Sequence, residues 1–134
     1  GRNPEEPLMA DPLQIELVSA DRVVWSGQAT EVLARTVEGD LGVLADHAPL
    51  LSLLVPGVVV ITPFEGEDEI KAAVAEGFIS VANNRVSILS EDAFLADEID
   101  VAAARAELEA AEADDDATAI LRAEAKLSLV DKAS

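Results

Sequence analysis

The chain has 134 residues and a mass of 14.0 kDa, half of them hydrophobic, enough for one domain with a real core and too apolar for intrinsic disorder. Twenty-seven Asp and Glu against nine Lys and Arg give a formal net charge of −18, which repels phosphate backbones and anionic lipid heads and so argues against nucleic-acid binding and direct lipid binding. The absence of Cys removes disulfides, thiolate metal sites and thiol nucleophiles, and no apolar run approaches the roughly 20 residues that cross a bilayer.

The opening GRNPEEPL reads as the remnant of an expression tag, which sets residues 1–8 apart from a domain starting at Met9. From Leu13 to about Leu95, short β-type runs alternate with turn residues. LQIELVS (13–19) puts Leu13, Ile15 and Leu17 on one face and Gln14 and Glu16 on the other. VVWSGQA (23–29) and EVLARTV (31–37) follow the turn at 20–22. EGDLGVLADHAPLL (38–51) reads as an acidic turn followed by a loop holding the chain's single histidine, His47. GVVVIT (57–62) is continuous enough to be buried on both faces, with Pro56 and Pro63 expected at strand ends. EIKAAVAEG (69–77), FISVA (78–82) and RVSIL (85–89) complete the series, the last two joined at Asn83 and Asn84, residues that tolerate left-handed turn conformations. This spacing predicts an antiparallel sandwich or flattened barrel over residues 9–95.

Near Leu95 the period changes. DVAAARAELEAAEA (100–113) and ATAILRAEAKLSLVDKA (117–133) are rich in Ala, Leu and Glu and free of Gly and Pro, so residues 96–134 are expected to form a two-helix antiparallel hairpin. Asp100 is placed to cap the first helix, and the three aspartates at 114–116 to end it and cap the second. Val101, Ala104, Leu108 and Ala111 form one narrow stripe, and Ile120, Ala123, Leu127 and Val130 a matching one. Alanine fills half of each stripe, and Glu91–Ser134 carries thirteen acids against four bases, so a weakly held, detachable appendage is one reading. A permanently docked hairpin is the other.

Catalytic chemistry is thin. His47 is the only ordinary base, no serine sits in a G-x-S-x-G elbow, and EGDLG lacks the rest of a phosphate loop. The acidic clusters at 65–69 and 114–116 lack calcium-loop spacing. His47 itself has three readings: a general base, a turn residue bonded to backbone, or part of a partner-facing surface beside Pro49 and Leu50.

EGDLGVLADHAPLLSLL (38–54) resembles the epsilon-subunit signature of bacterial rotary F-type ATP synthases. LVSADRVVWSGQATEV (17–32), EGFISVANNRVSIL (76–89) and EIDVAAARAELEAA (98–111) extend the likeness over nearly the whole chain. The resemblance implies a non-catalytic rotor subunit without a cofactor. It would be monomeric in isolation and peripheral to the cytoplasmic face of the bacterial plasma membrane when assembled. Its partners would be the gamma subunit, the c-ring and, conditionally, the alpha and beta catalytic subunits. By position, Glu38, Gly39 and Asp40 would meet the ring, and Ser19, His47, Ala48, Pro49 and Leu50 would meet gamma. Arg105, Arg122, Lys126 and Lys132 would be the basic residues of helices that restrain ATP hydrolysis. Two departures stand out. Ala45 and Asp46 replace the proline and the glycine or basic residue common before the histidine. Ile99 and Asp100 of the nucleotide motif I/L-D-x-x-R-A are kept, but Ala103 stands where its arginine belongs, which argues against nucleotide sensing. A generic β-sandwich adaptor with a helical tail, and a free-standing small-molecule binder or enzyme, are the competing classes.

Overall fold

The computed structural model describes residues 11–133, with side chains as far as residue 130, so the expected tag remnant at 1–8 and the side chain of Lys132 lie outside the described residues. Among those residues the chain forms nine strands and then two helices, as the alternation and the change of period predict. The strands are β1 (Leu13–Ser19), β2 (Arg22–Thr36), β3 (Gly39–Leu44), β4 (Leu50–Leu54), β5 (Gly57–Pro63), β6 (Ile70–Val74), β7 (Gly77–Ala82), β8 (Arg85–Ser90) and β9 (Ala93–Leu95). A 3₁₀ turn, Ala96–Glu98, leads to α1 (Val101–Ala113) and α2 (Ala117–Ala133).

The runs at 23–29 and 31–37 are one strand. The first half of β2 pairs antiparallel with β1, from Leu13↔Ala29 to Ser19↔Arg22, and the second half with β3 and β5. Its register with β5 slips between Ala29 and Glu31, which leaves Thr30 exposed where β2 passes from one layer to the other. One layer is therefore β4, β7, β8, β1 and the start of β2, with β1 parallel to β8. The other is β3, the end of β2, β5, β6 and β9. Strict alternation in β1 and β8 aims Leu13, Ile15, Leu17, Val86 and Ile88 inward, against Val32, Val59, Ile61, Ile79 and Val81, all fully buried. At roughly 1.5–3 kcal/mol for each large side chain removed from water, these residues dominate folding.

Two further strands lie inside the stretch read as turn and loop. β3 and β4 flank a short connection at 45–49, so the His47 segment is a loop between strands rather than a continuous one. Gly77 is required by close approach: a Cβ there would lie 1.8 Å from the carbonyl oxygen of Leu89 on β8.

In the helical region, Asp100 Oδ1 accepts from the Ala103 amide and Asp116 Oδ1 from the Ala119 amide, so both helix starts are capped by aspartate. Asp115, between the helices, adopts a left-handed backbone, φ 53°. Ala104, Ala111 and Ala123 are buried where the stripes meet. α2 carries a second face that the single-stripe expectation lacks: Ala125 and Leu129 pack on Ala73 of β6, with Val58, Ala96 and Ile99 around them. That face covers the outer side of β5, which is why GVVVIT is sheltered on both faces.

Candidate functional site

Among the described residues no helix covers the outer face of the β4-β7-β8-β1 layer, and register orders its side chains into rows. Leu53 pairs with Phe78, Phe78 with Leu89, Leu89 with Val18, and Val18 with Val23. All five point away from the core, and four are 43–57% exposed: Leu53 57%, Phe78 45%, Leu89 43% and Val23 56%. Val37 extends the row, its amide donating to the Leu53 carbonyl and its side chain 60% exposed. The next row is Leu51, Ser80, Ser87, Glu16 and Ser26, and the one beyond contains Ala82, Arg85, Gln14 and Gln28. The face grades from apolar to polar, and its apolar row crosses five strands, about 19 Å at the usual strand spacing. A contiguous apolar row of this kind marks a protein-binding surface rather than scattered exposed residues.

The acidic turn stands at one edge of this row. Gly39 has φ +119°, a conformation L side chains rarely adopt, and Thr36 closes the turn: its Oγ donates to the Gly39 carbonyl at 2.8 Å and accepts from the Glu38 amide at 3.2 Å. Glu38 accepts from Ser52 Oγ at 3.3 Å, and Asp40 pairs across the hairpin with Arg35 at 3.4 Å. Both carboxylates stay exposed, with Asp40 85% accessible, so each can take a further cationic partner.

The residues assigned by position to one partner do not form one cluster. Ser19 is buried, its Oγ donating to Asp21 Oδ1 at 3.0 Å to close the β1–β2 turn, and the outward side chains beside it are the half-buried Val18 and the exposed Val23. His47, Ala48, Pro49 and Leu50 lie toward the polar end of β4, where Leu50 is three residues and about 10 Å from Leu53. The His47 ring is tied to its own turn: Nδ1 donates to the Ala48 carbonyl at 2.6 Å. Asp46 occupies the left-handed region, φ 66°, and is held there by Asn84, whose Oδ1 accepts from the Asp46 amide at 2.6 Å while Nδ2 donates to Asp46 Oδ1 at 3.2 Å. A glycine would reach that conformation without help; here Asn84 supplies it.

The basic residues of the helices have separate tasks. Arg105 is exposed on α1. Arg122 binds Glu76, and this hydrogen-bonded contact raises the guanidinium and lowers the carboxyl from their ordinary values. Lys126 bonds Glu107 of α1 at 2.9 Å and lies 4.8 Å above the Phe94 ring. A cavity of about 370 Å³ lies between hairpin and sheet. Asp92, Glu107, Asp114 and Asp116 line it with Arg122 and Lys126, both already paired, which gives it the wrong sign for a phosphate chain. Ala103 is exposed and Ile99 half-buried, and Asp100 is used as the cap.

Sequence reasoning missed Val18, Val23, Val37, Phe78 and Leu89 as surface. The available signal was LLSLL, whose outward positions hold leucine where alternation calls for polar residues.

Comparison with known proteins gives a consistent result. Residues 12–96 match the family described as ATP synthase, Delta/Epsilon chain, beta-sandwich domain. The ATP synthase epsilon chain of Streptomyces avermitilis is 54% identical over 122 residues, covering 91% of this chain and 98% of that one. That of Corynebacterium diphtheriae is 48% identical over 123 residues, covering 91% and 95%. Among solved structures, a chain of the Euglena gracilis mitochondrial ATP synthase, solved with OSCP, F1 and c-ring, superposes with a TM-score of 0.69 at 24% identity, over 96% of this chain and 83% of that one. This likeness speaks to the fold.

Proposed function

The chain belongs to the ATP synthase epsilon chain family, and from that membership we propose that it works as a non-catalytic rotor subunit of a proton-translocating F-type ATP synthase, joining the gamma subunit to the c-ring. The observation that carries the reading is the exposed apolar row from Val37 through Leu53, Phe78, Leu89 and Val18 to Val23, a face that a folded protein partner would cover. Gamma docks there, with the His47–Leu50 loop at the margin of the contact. The turn at Glu38, Gly39 and Asp40 projects beside the row, and its two carboxylates fit guanidinium groups on the loops of the ring. No helix of the described residues is long and apolar enough to cross a membrane, which suits a peripheral position, on the cytoplasmic face of the plasma membrane.

Division of labour follows the change of element type at Leu95. Residues 9–95 are the docking domain, and residues 96–134 are a regulatory hairpin that restrains ATP hydrolysis when it reaches the alpha and beta subunits, with Arg122, Lys126 and Lys132 as its cations. Three measurements test this. Phe78→Glu should abolish co-purification with gamma, and retained binding would remove the docking face from the scheme. Asp40→Lys should weaken attachment of the assembled subunit to the ring, whereas unaltered coupling of proton flow to ATP turnover would refute that role. Deleting residues 114–134 should raise ATP hydrolysis by the complete complex; no change would leave the hairpin structural.

A further inference from the structure

Arg122 lies in the first half of α2, and its guanidinium reaches off the helix to two carboxylates of the sandwich. Nε donates to Glu76 Oε1 at 2.6 Å, and Nη2 donates to Glu76 Oε2 and, at 3.3 Å, to Glu91 Oε2. Glu76 belongs to the β6–β7 connection and Glu91 to the β8–β9 connection, so one side chain of the hairpin bridges two separate loops. The forked geometry fixes direction as well as distance, which an ammonium would not.

The apolar contact beside it is small: Ala73, Ala125 and Leu129, edged by Val58, Ala96 and Ile99. Lys126 joins α1 to α2 through Glu107 and adds only its contact over Phe94 to the sandwich. The linker is fastened independently. Arg22, at the start of β2, donates to the Ala93 carbonyl at 3.2 Å and to Glu98 Oε1 at 2.9 Å, and Glu98 Oε1 also accepts from the Leu95 amide at 2.8 Å. The two residues after that fastening, Ile99 and Asp100, have extended backbone between the 3₁₀ turn and α1.

We propose that Arg122 with Glu76 and Glu91 is the ionic latch of the helical hairpin, and that Ile99 and Asp100 form the hinge about which the hairpin leaves the sandwich when the latch opens. The purpose of the latch rests on the regulatory reading above, whereas its existence is a property of the isolated chain. Opening removes the guanidinium from two carboxylates and leaves an acidic hairpin facing an acidic sandwich, so the released state is favoured by repulsion once the short contact is lost.

The absence of cysteine permits a direct test, since Gln28→Cys and Glu112→Cys, both at exposed positions, can carry an energy-transfer pair in the full-length chain. Arg122→Met keeps the aliphatic stem and should raise the open fraction about tenfold, an effect at the upper range for a forked, networked pair. Glu76→Gln should act in the same direction, and the double variant should open less than the product of the two single effects. Arg85→Met, at an exposed site on β8, serves as the control. An Arg122→Met open fraction equal to the control overturns the latch. Amide protection at 96–98 should persist in the opened variant, and its loss together with α1 overturns the hinge. If Glu76→Gln, which leaves the cations of the hairpin intact, opens it but leaves ATP hydrolysis by the complete complex unchanged, the latch stands and the regulatory reading fails.

Discussion

The sandwich and the hairpin are held by different forces. Large β-branched and leucine side chains fill the space between the two sheets, whereas the hairpin rests on the sandwich through two alanines and a leucine and is fixed there by Arg122. Burial of apolar surface is non-directional and is lost only when the sheets separate, while a charged pair of moderate exposure acts over one contact and fails at once. The same chain thus combines a part built to stay closed with a part whose attachment depends on a few named atoms.

The strongest way to break this contrast is to strike the sandwich where it has no slack. Gly77→Ala sets a Cβ against the Leu89 carbonyl and should cost more than the roughly 3 kcal/mol expected for truncating a core residue such as Ile88 to Ala, both read as a lower denaturant midpoint for the whole domain. Leu129→Ala removes a side chain that is also buried, yet should act locally: faster amide exchange in α2, with the sandwich midpoint unmoved. A matching loss of sandwich stability would merge the two regions into one cooperative unit.

The row on the outer sheet sharpens the contrast from the other side. Leu53→Ser and Phe78→Ser alter exposed positions and should shift stability by no more than about 0.5 kcal/mol while weakening gamma binding, a separation between folding and docking that calorimetry on the same preparations can measure.

Acid gives the smallest effect. Hydrogen bonds from Arg122 hold the Glu76 carboxyl below its ordinary value of 4.5, and Arg22 and the Leu95 amide do the same for Glu98. A carboxyl whose value falls on folding adds stability above the ordinary value and loses it as pH drops through the lowered one. Hairpin docking should therefore weaken below pH 4.5, and Glu76→Gln should flatten that part of the energy-transfer titration.

Most of the architecture was legible because β1, β8 and the helices obey their periods cleanly. The exceptions share a cause. Two glycines, two aspartates and a proline between Glu38 and Leu50 carry turn chemistry that hid β3, and LLSLL conceals β4 because Leu51 and Leu53 face outward. A row of outward leucines violates the pattern that announces a strand, so the exposed apolar row and the missed strand are one feature. Leu53, Phe78, Leu89, Val18 and Val23 come from five separate strands and are neighbours only through register, which no local reading supplies. The second face of α2 went unseen because Ala125 and Leu129 add little to a helix already rich in alanine. The carboxylates of Glu76 and Glu91 gave no sign of sharing Arg122, being 46 and 31 residues away.

β2 has a mechanical consequence. The acidic turn caps a 15-residue strand hydrogen-bonded to β1 along its first half and to β3 and β5 along its second. If the turn meets the c-ring as proposed, torque delivered there would run lengthwise down the strand and load those ladders in shear, all rungs together, instead of unzipping them one at a time. Because β2 threads both sheets, the layers take up that load as a single stiff coupling.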